Sequence, residues 1–262
     1  MICEIPISPR DAGSAFRRLV AGWKHDENKV FVLRASETIE DPRAFYTEHF
    51  PEIGLPVALA EDVNAGDREH QRTSEIWMEV RFDPRHPNAY RHSSNAQPLH
   101  TDGSYIPAFP NATLMACVAN AGEGGETTFI DADDLVACMQ REDPELLAEV
   151  QARTIAHARS GDRRQEKIID KNGGHYLVNW NYYCVDAAID AEGRAVAERM
   201  FAYLQNSPLV KQHTKGVKLC PGDAVTWKDR CVLHGRNGFV ASKTSERFLW
   251  KCAIDVGNFG NA

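Results

Sequence analysis

The run Thr113-Leu-Met-Ala-Cys-Val-Ala119 restricts the fold more than any other segment. It lacks polar alternation, so a strand here must be covered on both faces. The Gly-rich stretch 122-GEGG-125 then turns into a second strand over 126–130. Short strands are also expected at 29–34, 76–82, 216–219, 224–228, 231–234 and 248–254, with Cys220-Pro-Gly-Asp223 as a tight turn. Residues 165–180 read as a hairpin turning at Asn172-Gly173.

Helix signals lie between these strands. Ser8-Pro9 reads as an N-cap followed by proline at the first helical position, opening a helix to Trp23. Asp41-Pro42 opens a second helix holding Phe45 and Phe50. Asp131 and Asp143 cap two more, and 190–206 is amphipathic. There is no βαβ alternation and no phosphate-binding glycine loop. The expectation is a mainly β chain with flanking helices, an antiparallel barrel or sandwich, forming one domain over 1–262.

Composition removes several classes of function. A net charge of −7 speaks against a nucleic-acid partner, which needs a basic face. No apolar run approaches the roughly 18 residues of a membrane span. The start, MICEIPISPRDAG, lacks a basic segment leading into an apolar one. The seven cysteines stand singly and form no CxxC pair, which suits reduced thiols in a cytoplasmic protein. A small-molecule partner is expected, and a homo-oligomer is left open.

The segment 97-QPLHTDGSYIPAF-109 carries the chemistry. On a strand, His100 and Asp102 would project to the same side and could reach one ion. Alone, such a pair is more often a chance spacing in a polar turn than a metal site. His25, His49, His70, His86 and His213 lie in polar loops and are read as surface residues. His234 differs, because it ends the apolar run Cys231-Val-Leu233 and would be held rigidly at the end of a buried strand. Two imidazoles and one carboxylate on one face of an octahedral ion are the set associated with non-haem Fe(II) oxygenases.

Four segments in order, 99-LHTDGSY-105, 124-GGETTF-129, 222-GDAVTWKDRCVLHGR-236 and 246-ERFLWK-251, strengthen that reading. Together they resemble the Fe(II)/2-oxoglutarate-dependent dioxygenases of the taurine dioxygenase (TauD/TfdA) type, which include clavaminate synthase-like and carbapenem synthase-like enzymes. The resemblance covers about residues 90–255 and implies a double-stranded β-helix (jelly-roll) core. It implies iron ligands at His100, Asp102 and His234. It also implies a 2-oxoglutarate carboxylate clamp at Thr127 and Arg247, the latter thirteen residues past His234. An arginine suits that role because its fork meets a carboxylate bidentately.

The implied reaction consumes 2-oxoglutarate and O2, releases succinate and CO2, and oxidises an unactivated C–H bond. Related halogenases lack the carboxylate ligand, so Asp102 favours hydroxylation; desaturation and cyclisation use the same ligand set. Candidate substrate contacts are Asn95, Ser104, Tyr105 and Lys251, the last four residues past Arg247. A cation near that position can hold an anionic group in taurine dioxygenase-like enzymes, while a surface charge explains Lys251 equally. Arg236 is read as structural, and Asn179, Asn181 and Tyr182 as a polar-aromatic strand edge. The rival readings are a cupin-like isomerase or lyase, which needs no carboxylate clamp, and a binding barrel with a vestigial site.

Overall fold

The computed structural model describes residues 2–25, 28–58, 75–87, 89–108, 110–159 and 161–257; His70 lies outside them. The chain begins with β1 (Ile2–Ile7), α1 (Ala12–Lys24), β2 (Val30–Ala35), α2 (Pro42–Glu48) and α3 (Phe50–Ile53). Next come β3 (Leu55–Val57), β4 (Met78–Arg81), β5 (Gln97–His100), β6 (Ala112–Ala119) and β7 (Thr127–Asp131). Then follow α4 (Ala132–Glu142), α5 (Pro144–Ala152), β8 (Thr154–Arg159), β9 (Asp162–Lys167), β10 (Ile169–Asn172) and β11 (His175–Val178). A 3-10 turn at Tyr182–Cys184 leads to α6 (Ala191–Asn206), α7 (Pro208–His213), β12 (Lys215–Val217), β13 (Ala224–Lys228), β14 (Val232–Arg236) and β15 (Phe248–Asp255).

A larger sheet, ordered β1-β2-β13-β6-β15-β3 with β4 also on β15, faces a smaller one ordered β12-β7-β14-β5. This is the expected jelly-roll core. Alternation along β6 explains its continuous apolar run. Leu114 and Ala116 pack outward with Phe16 and Trp23 of α1, whereas Met115 and Cys117 point between the sheets. Val225 and Trp227 of β13, Phe129 of β7 and Val232 of β14 meet them there. The outer face of the smaller sheet is covered in turn, with Ile130 and Leu233 packing against α4, α5 and α6. None of the seven cysteines forms a disulfide.

Several sequence expectations need correction. Ile2–Ile7, assigned no element from the sequence, forms an edge strand parallel to β2, and α1 joins the two as a βαβ unit. Pro6 is tolerated because the strand is at an edge. Ser8-Pro9 makes a turn closed by the Asp11 N–H on the Ser8 carbonyl, and the helix starts only at Ala12. Phe45 and Phe50 belong to two helices, broken at His49. His49 is half-buried, its ring 5.0 Å from both Phe16 and Phe45, and is no simple surface residue. The expected 165–180 hairpin is shorter: residues 165–167 pair with β8, and β10–β11 turn through Gly173-Gly174.

One buried ion pair ties the sheets together. Lys29, only 5% exposed at its side chain, reaches Asp131 at 3.0 Å and Asp133 at 2.7 Å. Burial disfavours its charge, but these two carboxylates raise its pKa overall. Removing one member of a buried pair leaves the others uncompensated. Lys29→Ala should therefore cost stability toward the lower end of about 3–5 kcal/mol, measured by urea denaturation. The lower end applies because Asp133 keeps 38% of its side chain exposed. Burial works against Asp133 ionising, but hydrogen bonds from Lys29 and His175 hold its pKa below the usual value. Its stabilisation is thus present above the unfolded carboxylate pKa and lost as pH falls through the folded value. Lys29→Ala should weaken that acid dependence, and unchanged stability would remove the pair as a staple.

Candidate metal centre

His234 and His100 are placed by sheet pairing. They lie directly opposite in the β14–β5 ladder, with ring centroids 4.2 Å apart. Contrary to expectation, His234 sits in the middle of its strand rather than at its end. Gly235 permits this close pairing, since a Cβ there would lie 2.7 Å from the Gln97 carbonyl oxygen. Asp102 also departs from expectation: β5 ends at His100, and Asp102 occupies the following turn. The ligand atoms converge all the same. One atom from each of His100, Asp102 and His234 lies within 4.8 Å of the other two, the only such His/Cys/Asp/Glu group among the described residues.

The donors suit a divalent cation. The Nδ1–H of His100 donates to the Pro98 carbonyl at 2.9 Å, which leaves the Nε2 lone pair facing Asp102 Oδ1 at 3.8 Å. His234 Nε2 is 3.7 Å from Asp102 Oδ2, and its buried Nδ1 has no hydrogen-bond partner among the described residues. Burial lowers the pKa of both imidazoles, so both are neutral donors. Burial alone would raise Asp102, but the Lys251 ammonium beside it holds its carboxyl well below the usual range. Two neutral nitrogens and one anionic oxygen, all nearly buried, form a set that a hard-to-borderline metal ion can complete.

A buried cation lies at the start of the strand that carries Lys251. Arg247, 1% exposed, immediately precedes β15 and donates through Nε to the Gly125 carbonyl at 3.3 Å. Gly125 has a φ of 76°, and a Cβ there would stand 3.2 Å from Arg247 Nε. Burial, then the neighbouring Arg236, disfavours the Arg247 charge, and no carboxylate pairs with it among the described residues. A guanidinium buried in this way is costly without an anion. Thr127, also buried, sits on β7 with its side chain on the inner face shared by Phe129. Arg236 lies opposite Thr127 and donates through Nη2 to the carbonyls of Ser93 (2.9 Å) and Asn95 (2.6 Å), a structural brace as expected.

The candidate substrate residues divide. Lys251 Nζ is 2.5 Å from Asp102 Oδ2. Ser104 and Tyr105 are buried within the same turn, the Ser104 carbonyl accepting from Asn179 Nδ2 at 3.1 Å and Tyr105 packing with Ile106 and Cys184. Asn95 is exposed, and its carbonyl serves Arg236. Sequence reasoning missed Thr113 and Asp229, which flank Asp102. The only available signal was an acid directly after the buried Trp227-Lys228 strand end. Asn181 caps the 3-10 turn, and Tyr182 stacks on Phe201 at 4.2 Å, away from the ligands.

Comparison with known proteins agrees with this geometry. The family model described as taurine catabolism dioxygenase TauD, TfdA family matches residues 26–253. Human gamma-butyrobetaine dioxygenase is 24% identical over 165 residues, 58% of this chain and 42% of the relative. A uridine-5'-phosphate dioxygenase from Streptomyces sp is 27% identical over 171 residues, 60% of this chain and 61% of the relative. The chain thus spans less than two thirds of either.

Among solved structures, PvcB from Pseudomonas aeruginosa superposes with a TM-score of 0.66 at 19% identity, covering 96% of this chain and 85% of its own. Asparagine oxygenase (AsnO) gives 0.71 at 14%, covering 94% and 81%. The non-haem iron oxygenase OrfP, bound to Fe and alpha-ketoglutaric acid, gives 0.69 at 13%, covering 98% and 95%. The expected cofactors, iron with 2-oxoglutarate, agree with what that neighbour holds. The family match over most of the chain, together with the converging His-Asp-His donors, makes this chain a member of the TauD/TfdA family of dioxygenases.

Proposed function

We propose that the chain, acting as one domain, is an Fe(II)- and 2-oxoglutarate-dependent dioxygenase that hydroxylates a small amino-acid-like or anionic metabolite. The observation that carries this reading is the pairing of a three-donor metal site with a buried arginine that forms no ion pair among the described residues. A cupin-like isomerase or lyase would have no use for that arginine. Neighbouring structures hold 2S,3S-3-hydroxyasparagine with succinate in asparagine oxygenase and (3S)-hydroxy-L-Arg in OrfP, which supports an amino-acid-like substrate.

His100, Asp102 and His234 would hold the metal, and Arg247 with Thr127 would take the distal carboxylate of 2-oxoglutarate. Bound together, iron and 2-oxoglutarate supply O2 activation and C–H oxidation, with succinate and CO2 as co-products. The protein's part is placement and exclusion of water. The neutral imidazoles offer lone pairs without first losing protons, and Asp102 supplies the single negative charge. Trp227 packs 4.7 Å from the His234 ring and, fully buried, closes the floor of the site. Lys251 would exchange its contact with Asp102 for an anionic substrate group, with Ser104, Tyr105 and Asn95 beside the entry.

Anaerobic Fe(II) with 2-oxoglutarate should produce a metal-to-ligand charge-transfer absorption. Aerobic incubation with amino acids and small anionic metabolites should then reveal substrate-stimulated succinate release. No absorption from the wild-type protein would sink this reading. Lys251→Ala should raise KM for an anionic substrate by about 10–100-fold, the range for losing one hydrogen bond to a charged group. The 2-oxoglutarate requirement should stay nearly constant, and an unchanged substrate KM would remove Lys251 from substrate binding.

A further inference from the structure

Asp102 is the one donor that the sheet does not hold. His100 and His234 are registered against each other on β5 and β14, but Asp102 sits past the end of β5. A carboxylate in a turn needs another restraint to present an oxygen at a fixed place. We infer that Asp229 and Thr113 are positioning residues that hold the Asp102 carboxylate in its metal-binding orientation. This rests on the reading of His100, Asp102 and His234 as the metal ligands.

Three contacts make the case. The Asp102 backbone N–H points at Asp229 Oδ1, 3.4 Å away. The Thr113 hydroxyl lies 3.4 Å from Asp102 Oδ2 and 3.5 Å from Asp229 Oδ2, so it bridges the two carboxyl groups. Each contact is long, yet two of them converge on Asp102 from separate elements and the third joins the two partners to each other.

Both partners are themselves fixed. Thr113 is fully buried on β6, and its carbonyl accepts from the Thr226 hydroxyl at 2.8 Å. Asp229 is 3% exposed in the tight β13–β14 link, where its N–H donates to the Asn111 carbonyl at 2.9 Å and its carbonyl accepts from Cys231 N–H at 2.7 Å. The next residue, Arg230, takes a φ of 62°, an unusual conformation for a residue with a side chain. Asp229 forms no ion pair among the described residues. A buried carboxyl in no ion pair, with a like group beside it, costs stability, which argues for a role in the site rather than in the fold. Its side-chain contacts are the Asp102 N–H, the Thr113 hydroxyl and the Arg230 N–H of its own turn.

The test is metal affinity, read by Co(II) titration through d–d absorption, alongside thermal melting of the metal-free protein. Thr113→Val keeps the β-branched shape and removes only the hydroxyl. Asp229→Ala removes the acceptor, and Asp229→Asn keeps an acceptor for the Asp102 N–H and a donor toward Thr113. Thr113→Val and Asp229→Ala should weaken Co(II) binding by about 10–100-fold and alter the absorption envelope. Asp229→Asn and Thr113→Ser should stay near wild type. Wild-type affinity and spectrum in Thr113→Val and Asp229→Ala would overturn the inference, as would equal losses in Asp229→Asn and Asp229→Ala. A lowered melting temperature with unchanged Co(II) binding would likewise show a merely structural role. Thr113→Val carries the comparison should Asp229→Ala not fold. If the wild type binds no Co(II), it is the metal-site reading that fails.

Discussion

Replacing His234 with alanine is expected to abolish the Fe(II)·2-oxoglutarate absorption and substrate-dependent succinate release while leaving the protein folded. The size follows from the number of ligands. Structural zinc sites gain about 10–16 kcal/mol from four donors, or about 3–4 each. At about 1.4 kcal/mol per decade, losing one donor weakens metal binding by roughly 10²–10³-fold. The fold should tolerate the change, because the His234 imidazole is buried with an unpartnered Nδ1 and contributes little polar stabilisation. Its neighbours Trp227 and Phe129 remain to fill the inter-sheet core. Isothermal titration with Fe(II) under nitrogen measures the loss directly. A variant that binds iron as tightly as the wild type would take His234 out of the ligand set.

Arg247→Met should have the second-largest effect, and it should act on 2-oxoglutarate alone. A buried, bidentate, charge-assisted contact is worth about 3–4 kcal/mol when one partner is removed, a rise of about 10²–10³-fold in the 2-oxoglutarate requirement. Metal binding without 2-oxoglutarate should be unchanged, since Arg247 touches none of the three donors in the structure. A further consequence separates this role from a structural one. Without 2-oxoglutarate, Arg247 is a 1% exposed cation in no ion pair among the described residues, so methionine should hold or raise the melting temperature of the protein in that state. Added 2-oxoglutarate should stabilise the wild type and not the variant. An unchanged 2-oxoglutarate requirement would remove Arg247 from the clamp.

These expectations reached from sequence to site with uneven success. The buried strand Ala112–Ala119 was legible because both of its faces are covered, and coverage on both faces leaves a continuous apolar run. The caps at Asp41, Asp131 and Asp143 were legible because an N-cap is a local bond, made here to backbone N–H groups two or three residues on. The strand Ile2–Ile7 was not, since its only described partner is the parallel strand β2, reached across a whole helix. Nor was the broken hairpin at 165–180, where two short ladders share one stretch of β-forming residues.

The sequence by itself determined the candidates: His100, Asp102 and His234 as proposed donors and Arg247 as a proposed fork, each in a motif of recognisable order. Only the tertiary structure decided how those groups meet. Cross-strand register brings His234 against His100, which are 134 positions apart, and no local pattern encodes a register. The turn that carries Asp102 off the strand, the 2.5 Å contact from Lys251 and the anchorage by Thr113 and Asp229 come from four separate segments. The physical reason is range. Caps and strand faces are set by neighbours in sequence, whereas the position of a buried charge depends on every polar group the packed sheets bring to it.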